Sequence, residues 1–115
     1  MDLEEQLWDG AAEWLAAAQQ ERASGRLRVA FEAARHSAEL SAKALLVRAT
    51  GSFPKSHTVA GQLHRAGLVP AGVEPKVLHR LLSDFTLGTY GFERPLEDAE
   101  VANAIALARA MLSAR

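Results

Sequence analysis

The sequence predicts an all-α fold, an antiparallel up-and-down bundle of about five helices. Apolar residues recur at spacings of three and four in successive segments, which is the period of an α-helix. Glycine and proline separate these segments, as expected of short connections between helices. No segment alternates apolar and polar residues over the length of a strand.

The two longest periodic segments predict the two longest helices. The first covers residues 2–22, and the spacing of Asp2 and Glu5 suits an acidic capping box. The second covers residues 26–50 and ends at Gly51, since glycine readily adopts the left-handed conformation that closes a helix. The buried stripe predicted for this second helix consists of Leu27, Phe31, Ala34, Ala38, Leu45 and Ala49.

Three shorter helices are predicted in the second half of the chain. One begins near Ser56 or Thr58 and ends at Gly67, and the next begins at Pro75, which suits a first helical turn. The last covers residues 96–113. The apolar face of the fourth helix consists of Val77, Leu78, Leu81, Leu82 and Phe85, and that of the last of Val101, Ala104, Ile105, Ala108, Met111 and Leu112.

The totals bound the class of protein. A chain of 115 residues without cysteine predicts a single domain over residues 1–115, with no disulfide and no thiolate metal site. No apolar run approaches the roughly 20 residues of a membrane helix, and the acidic N-terminus is unlike a secretory signal. We therefore expect a soluble, cytoplasmic protein. A net charge of -1 argues against a generally basic surface that would bind nucleic acid electrostatically, but it permits a local basic patch.

The central block of the chain resembles the HEPN family. Residues 34–46 read Ala-Arg-His-Ser-Ala-Glu-Leu-Ser-Ala-Lys-Ala-Leu-Leu, and after a glycine stop Lys55 and His57 open the next helix. Further along, Tyr90 and Arg94, the latter followed by proline, are similar to the usual tail of the family. The resemblance covers nearly the whole chain.

The resemblance implies a helical bundle that is commonly a homodimer. Many members of the family act with a small nucleotidyltransferase, often as toxin and antitoxin, and others are ribonucleases; the family name refers to a proposed nucleotide-binding role. We therefore expect an interaction module with a nucleotidyltransferase-type partner and a groove for nucleotide or RNA. No cofactor is expected.

The ribonuclease motif of the family is absent from this sequence. HEPN ribonucleases resemble one another in an Arg followed, after four to six residues, by a His, and none of the four histidines here has an Arg at that distance. RNA cleavage without a metal needs a proton shuttle and a cation. The alternative to a binding module is thus a metal-independent endoribonuclease with a degenerate centre that uses Arg94 with His57 or His79. We assign no catalytic residue and favour a non-catalytic role.

Four residues are candidates for binding a nucleotide or phosphate. Lys55 and His57 precede the third helix, where they could hold a phosphate or simply fix the loop against the second helix. Tyr90 and Arg94 could stack a base and hold a phosphate, or plug the end of the bundle.

Other polar and aromatic residues allow two interpretations each. Glu39 and Lys43 could line a polar groove, or form a helix-surface ion pair worth about 0.3–0.5 kcal/mol. Trp8 and Trp14 are too far out of phase for one narrow stripe, so either one extends the apolar surface sideways, as suits a dimer interface, or both widen the core. We predict no metal site, because Glu39 is the only carboxylate or histidine three or four residues after His36, and one His and one Glu make a poor set of ligands.

Overall fold

A computed structural model describes residues 2–54, 59–83 and 95–115 of the chain. These residues form five helices and no strand, which confirms the predicted all-α class. The predicted start of the third helix, Phe85 at the end of the fourth, and the loop with Tyr90 and Arg94 lie outside the described residues. The helices are α1 (Leu3–Ala23), α2 (Leu27–Thr50), α3 (Val59–Arg65), α4 (Pro75–Ser83) and α5 (Asp98–Leu112).

The helix ends follow the local chemistry of the sequence. The Asp2 carboxylate accepts a hydrogen bond from the Glu5 backbone N–H at 2.8 Å, as the spacing predicted. α2 ends at Gly51, whose φ of 86° is left-handed and therefore favours glycine. α5 begins two residues later than predicted, since Glu97 and Glu100 form a reciprocal capping box at its start.

Side-chain contacts fix the directions of the long helices. Trp14 stacks on His36, whereas Glu4, nearer the start of α1, pairs with Arg48 near the end of α2. Rising residue numbers in α1 thus meet falling numbers in α2, so the two helices are antiparallel.

The same reasoning orients α5 against α1. Arg22, at the end of α1, pairs with Asp98 at the start of α5, and Asp9 pairs with Arg115 just beyond the end of α5. α5 is therefore antiparallel to α1 and runs in the same direction as α2. These contacts confirm the predicted antiparallel packing for α1 with α2 and for α1 with α5.

Small residues bring α1 and α2 close together. The buried Ser37 hydroxyl donates a hydrogen bond to the Ala11 carbonyl oxygen at 2.8 Å, which joins the two helices directly. A Cβ atom at Gly10 would lie 3.1 Å from the Leu40 Cδ1 atom, so even alanine there would require the Leu40 side chain to shift slightly. The remaining helices extend the same apolar cluster, which reaches Leu63, Leu78 and Ile105.

Two residues that the stripes assigned to the core are exposed. Ala49 was predicted to be buried, but residues 48–50, at the end of α2, are all exposed. Val77 is 45% exposed. It lies over clefts between α4 and α5, while the core contacts of α4 come from Leu78, Leu81 and Leu82. The stripe of α5 is confirmed from Val101 to Met111.

Ion pairs join the helices at both ends of the bundle. Glu4 accepts hydrogen bonds from the Trp8 indole and the Arg48 guanidinium, both at 2.9 Å, and these bonds lower the pKa of the Glu4 carboxyl. Arg48 also donates to the Ala114 carbonyl oxygen at 3.0 Å. This cluster therefore ties α1 and α2 to the chain just beyond α5.

The arginines around the turn between α1 and α2 are also used structurally. Arg22 donates two hydrogen bonds to the Asp98 carboxylate, at 2.9 and 2.8 Å, and lowers the pKa of that carboxyl. Arg26 pairs with Glu21 in the same way. The turn is thus neutralised by neighbouring carboxylates.

Two buried serines of α2 should respond in opposite directions to the loss of the hydroxyl. Ser37→Ala removes the bond to the Ala11 carbonyl and should lower the free energy of unfolding by about 1 kcal/mol. The Ser41 hydroxyl is buried without a hydrogen-bond partner among the described residues, so Ser41→Ala should leave stability unchanged or raise it. Urea unfolding of both variants measures the difference, and equal losses would contradict this account.

Candidate functional site

Of the residues predicted to form a site, only the polar pair is described by the structure. The Lys43 ammonium lies 3.9 Å from a Glu39 carboxylate oxygen, and both side chains are about one quarter exposed. Lys43 also lies 5.0 Å from the centre of the Phe53 ring. The Lys43 ammonium therefore interacts with both the Glu39 carboxylate and the face of the Phe53 ring. Lys55, His57, Tyr90 and Arg94 lie outside the described residues.

Glu39 and Lys43 belong to a narrow open strip on the most buried helix. Between Val29 and Val47, every residue of α2 outside this strip is buried. The strip follows one side of the helix, since its members are spaced by three and four residues. It consists of Val29, Glu32, His36, Glu39, Leu40, Lys43 and Val47.

An exposed tryptophan of α1 borders this strip. The Trp14 ring stacks on the His36 ring with 5.0 Å between centroids and 28° between planes. Trp14 is 43% exposed, whereas Trp8 is 1% exposed in the core. Of the two interpretations, the one in which one tryptophan extends the apolar surface sideways is therefore right, and the tryptophan is Trp14.

Together the two helices present one continuous surface, which we call the α1–α2 face. Two further apolar side chains on it are well exposed, Leu3 at 45% and Val29 at 51%. Apolar patches rimmed by polar groups are typical of protein contact sites. The α1–α2 face consists of Leu3, Gly10, Trp14 and Ala17 of α1 with the open strip of α2.

A second surface feature is a cleft between α3 and α4, which we call the α3–α4 pocket. Its volume is about 430 Å³, within the range of small-ligand sites. Four nitrogen-bearing side chains reach it, and all four residues are exposed: His64 from α3, and Lys76, His79 and Arg80 from α4. The other described lining residues are Ala60, Gly61 and Pro75, so the described part of the lining contains no carboxylate.

The α3–α4 pocket was not predicted from the sequence as a unit. His79 was considered only as a partner of Arg94, and Lys76 and Arg80 were not singled out. Their spacing of three and four residues does place Lys76, His79 and Arg80 on one side of α4. The approach of His64 from another helix, however, depends on tertiary packing.

Two further properties concern the described residues alone. Among them, no three histidine or acidic side chains gather closely enough to hold a metal ion. None of the five helices is long and apolar enough to cross a membrane.

The fold and these surfaces define a class: an all-helical bundle with an open helix-pair face and a basic pocket. A family model described as HEPN domain matches residues 4–114, which is nearly the whole chain. The chain belongs to the HEPN family. No curated protein and no solved structure matches it significantly.

Proposed function

We propose that this chain is a HEPN binding and interaction module that forms a homodimer and acts with a nucleotidyltransferase-type partner. In this proposal it is one component of a toxin–antitoxin pair and offers a groove for nucleotide or RNA. The observation that carries the proposal is the α1–α2 face, where Trp14 is 43% exposed beside His36. Exposure of a large aromatic ring to water is unfavourable, so we infer that a partner protein covers the ring of Trp14.

The charges on the α1–α2 face support a second copy as the covering protein. A twofold interface brings the same patch of each copy together, so the patch must complement itself. Glu39 and Lys43 lie one helical turn apart, and the 3.9 Å between their charged atoms is long for an ion pair. In a twofold dimer each carboxylate could face the ammonium of the other copy, between flanking apolar side chains such as Trp14 and Val29.

A charge placed on the α1–α2 face should dissociate the homodimer. We expect wild type to show twice the 12.4 kDa chain mass in light scattering, and Trp14→Glu to show the monomer mass. Val77→Glu is the matched control, because Val77 is equally exposed at 45% but belongs to α4. A monomeric wild type, or equal dissociation of both variants, would contradict the proposed dimer.

The partnership with a nucleotidyltransferase has a separate test. We expect a gene for a small nucleotidyltransferase beside the gene for this chain, and the two proteins should copurify when they are produced together. The partner applied alone to the same affinity resin is the control. If the neighbouring gene is absent, or the two proteins elute separately, this part of the proposal is wrong.

One observation favours the alternative function, a metal-independent endoribonuclease. His64 and His79 border the same pocket as Lys76 and Arg80, so groups able to shuttle a proton lie beside cations. In this alternative the catalytic cation is Arg94, as predicted from the sequence.

The endoribonuclease alternative predicts that purified protein cuts RNA in the presence of EDTA. Arg94→Ala and His79→Ala should each lower the rate by about a hundredfold or more, since each would remove a cation or a proton shuttle. Arg109→Ala, which removes an exposed cation from α5, should retain the wild-type rate. Cleavage that is absent, or that survives both substitutions, would exclude this mechanism.

A further inference from the structure

We propose that the α3–α4 pocket binds the phosphate group of a nucleotide-sized ligand. The inference deepens the nucleotide- or RNA-binding part of the proposed function, on which it rests, and is independent of the homodimer. The described residues that line this site are Ala60, Gly61, His64, Pro75, Lys76, His79 and Arg80.

Among the described residues, the cations of the α3–α4 pocket differ from those of the long helices in lacking carboxylate partners. Most arginines of α1, α2 and the turn between them are neutralised by a carboxylate: the pairs are Arg22–Asp98, Arg26–Glu21, Arg35–Glu32 and Arg48–Glu4. Within residues 2–54, 59–83 and 95–115, neither Lys76 nor Arg80 forms an ion pair. Two cations that share one cleft without a counter-ion repel each other, and an anion between them removes that repulsion.

The segment that contains α3 and α4 carries a local positive charge. Residues 59–83 contain Arg65, Lys76 and Arg80 against the single carboxylate of Glu74, so this segment carries a formal charge of +2 with both histidines neutral. The whole chain carries -1. The segment with α3 and α4 is therefore the local basic patch that a nearly neutral total can conceal.

The shape of the α3–α4 pocket and its hydrogen-bond donors also suit a phosphate group. Lys76 and Arg80 supply charged N–H donors for phosphate oxygens, and each neutral imidazole can donate one more hydrogen bond. A volume of about 430 Å³ exceeds one phosphate and leaves room for the sugar or base attached to it.

One carboxylate lies in a cleft next to the α3–α4 pocket but does not line the pocket. Glu100 lines the neighbouring cleft between α4 and α5, which Arg80 also borders, but it does not line the α3–α4 pocket. Arg80 thus borders both clefts, and of these two the α3–α4 pocket is the one with no carboxylate among the described residues of its lining. This favours the pocket as the place where an anion settles.

The test measures the binding of three probes: inorganic phosphate, adenosine 5′-monophosphate and a short single-stranded RNA. The variant is Lys76→Gln/Arg80→Gln, and the control is Arg109→Gln/Arg115→Gln, which removes the same amount of charge from exposed positions outside the pocket. Circular dichroism verifies that both proteins keep the helical content of wild type, as expected for substitutions of exposed residues.

We expect adenosine 5′-monophosphate to bind wild type and control alike and to raise their melting temperatures, since a ligand of the native state stabilises it. Binding to the pocket variant should weaken by about tenfold or more, because two charge-assisted contacts are lost. If the phosphate belongs to a free nucleotide, the RNA should bind no more tightly than adenosine 5′-monophosphate. If it belongs to RNA, the RNA should bind more tightly and the mononucleotide should displace it.

Two results would overturn the inference. One is a wild type that binds none of the three probes, and the other is a pocket variant that loses no more affinity than the control. Neither result bears on the proposed dimer, because Lys76 and Arg80 lie outside the α1–α2 face. Conversely, a monomeric Trp14→Glu variant that still binds the mononucleotide would support the separation of the two surfaces.

Discussion

The close packing of α1 against α2 determines where the rest of the molecule can lie. Eight of the twelve buried residues of α2 are alanine or serine, so neighbouring backbones can approach it closely. The hydrogen bond from Ser37 to the Ala11 carbonyl, at 2.8 Å, requires this proximity. A larger side chain at such a position would push α1 away, and overpacking of this kind commonly costs about 1–3 kcal/mol. Since α5 also packs on α2 and pairs with α1 through Asp98, the displacement would spread through the bundle.

This packing also explains why the candidate surfaces are few and separate. Because α2 is enclosed on its other sides, the strip from Val29 to Val47 is the part of it left for a partner, and Trp14 extends that strip onto α1. The nitrogen-bearing side chains of the α3–α4 pocket belong to two short helices, each of which has fewer buried residues than α1, α2 or α5. A protein contact and a phosphate contact can therefore be altered independently, which a single shared groove would not allow.

The sequence predicted most of the fold because the relevant signals are local. The period of three and four, Asp2 at the start of α1 and Gly51 at the end of α2 each act within one helix, and the structure agrees with all three. Whether Trp8 or Trp14 is buried depends on which side of α1 its neighbours cover, so spacing alone left both interpretations open. The same limit applies to the pocket. Lys76 and Arg80 share a helix face that a pattern can reveal, but only packing brings His64 of α3 to them.

The charge of the chain shows how a total can mislead about function. A net charge of -1 argues against a generally basic surface, yet the compensation is uneven along the chain. On the long helices, carboxylates are held by arginines in structural pairs such as Glu4 with Arg48, so neither group remains for a ligand. On α4, Lys76 and Arg80 have no such pairs within the described residues. A cation that is already paired with a carboxylate attracts a phosphate only weakly. Lys76 and Arg80 of α4 are not paired in this way within the described residues, so they remain able to bind one.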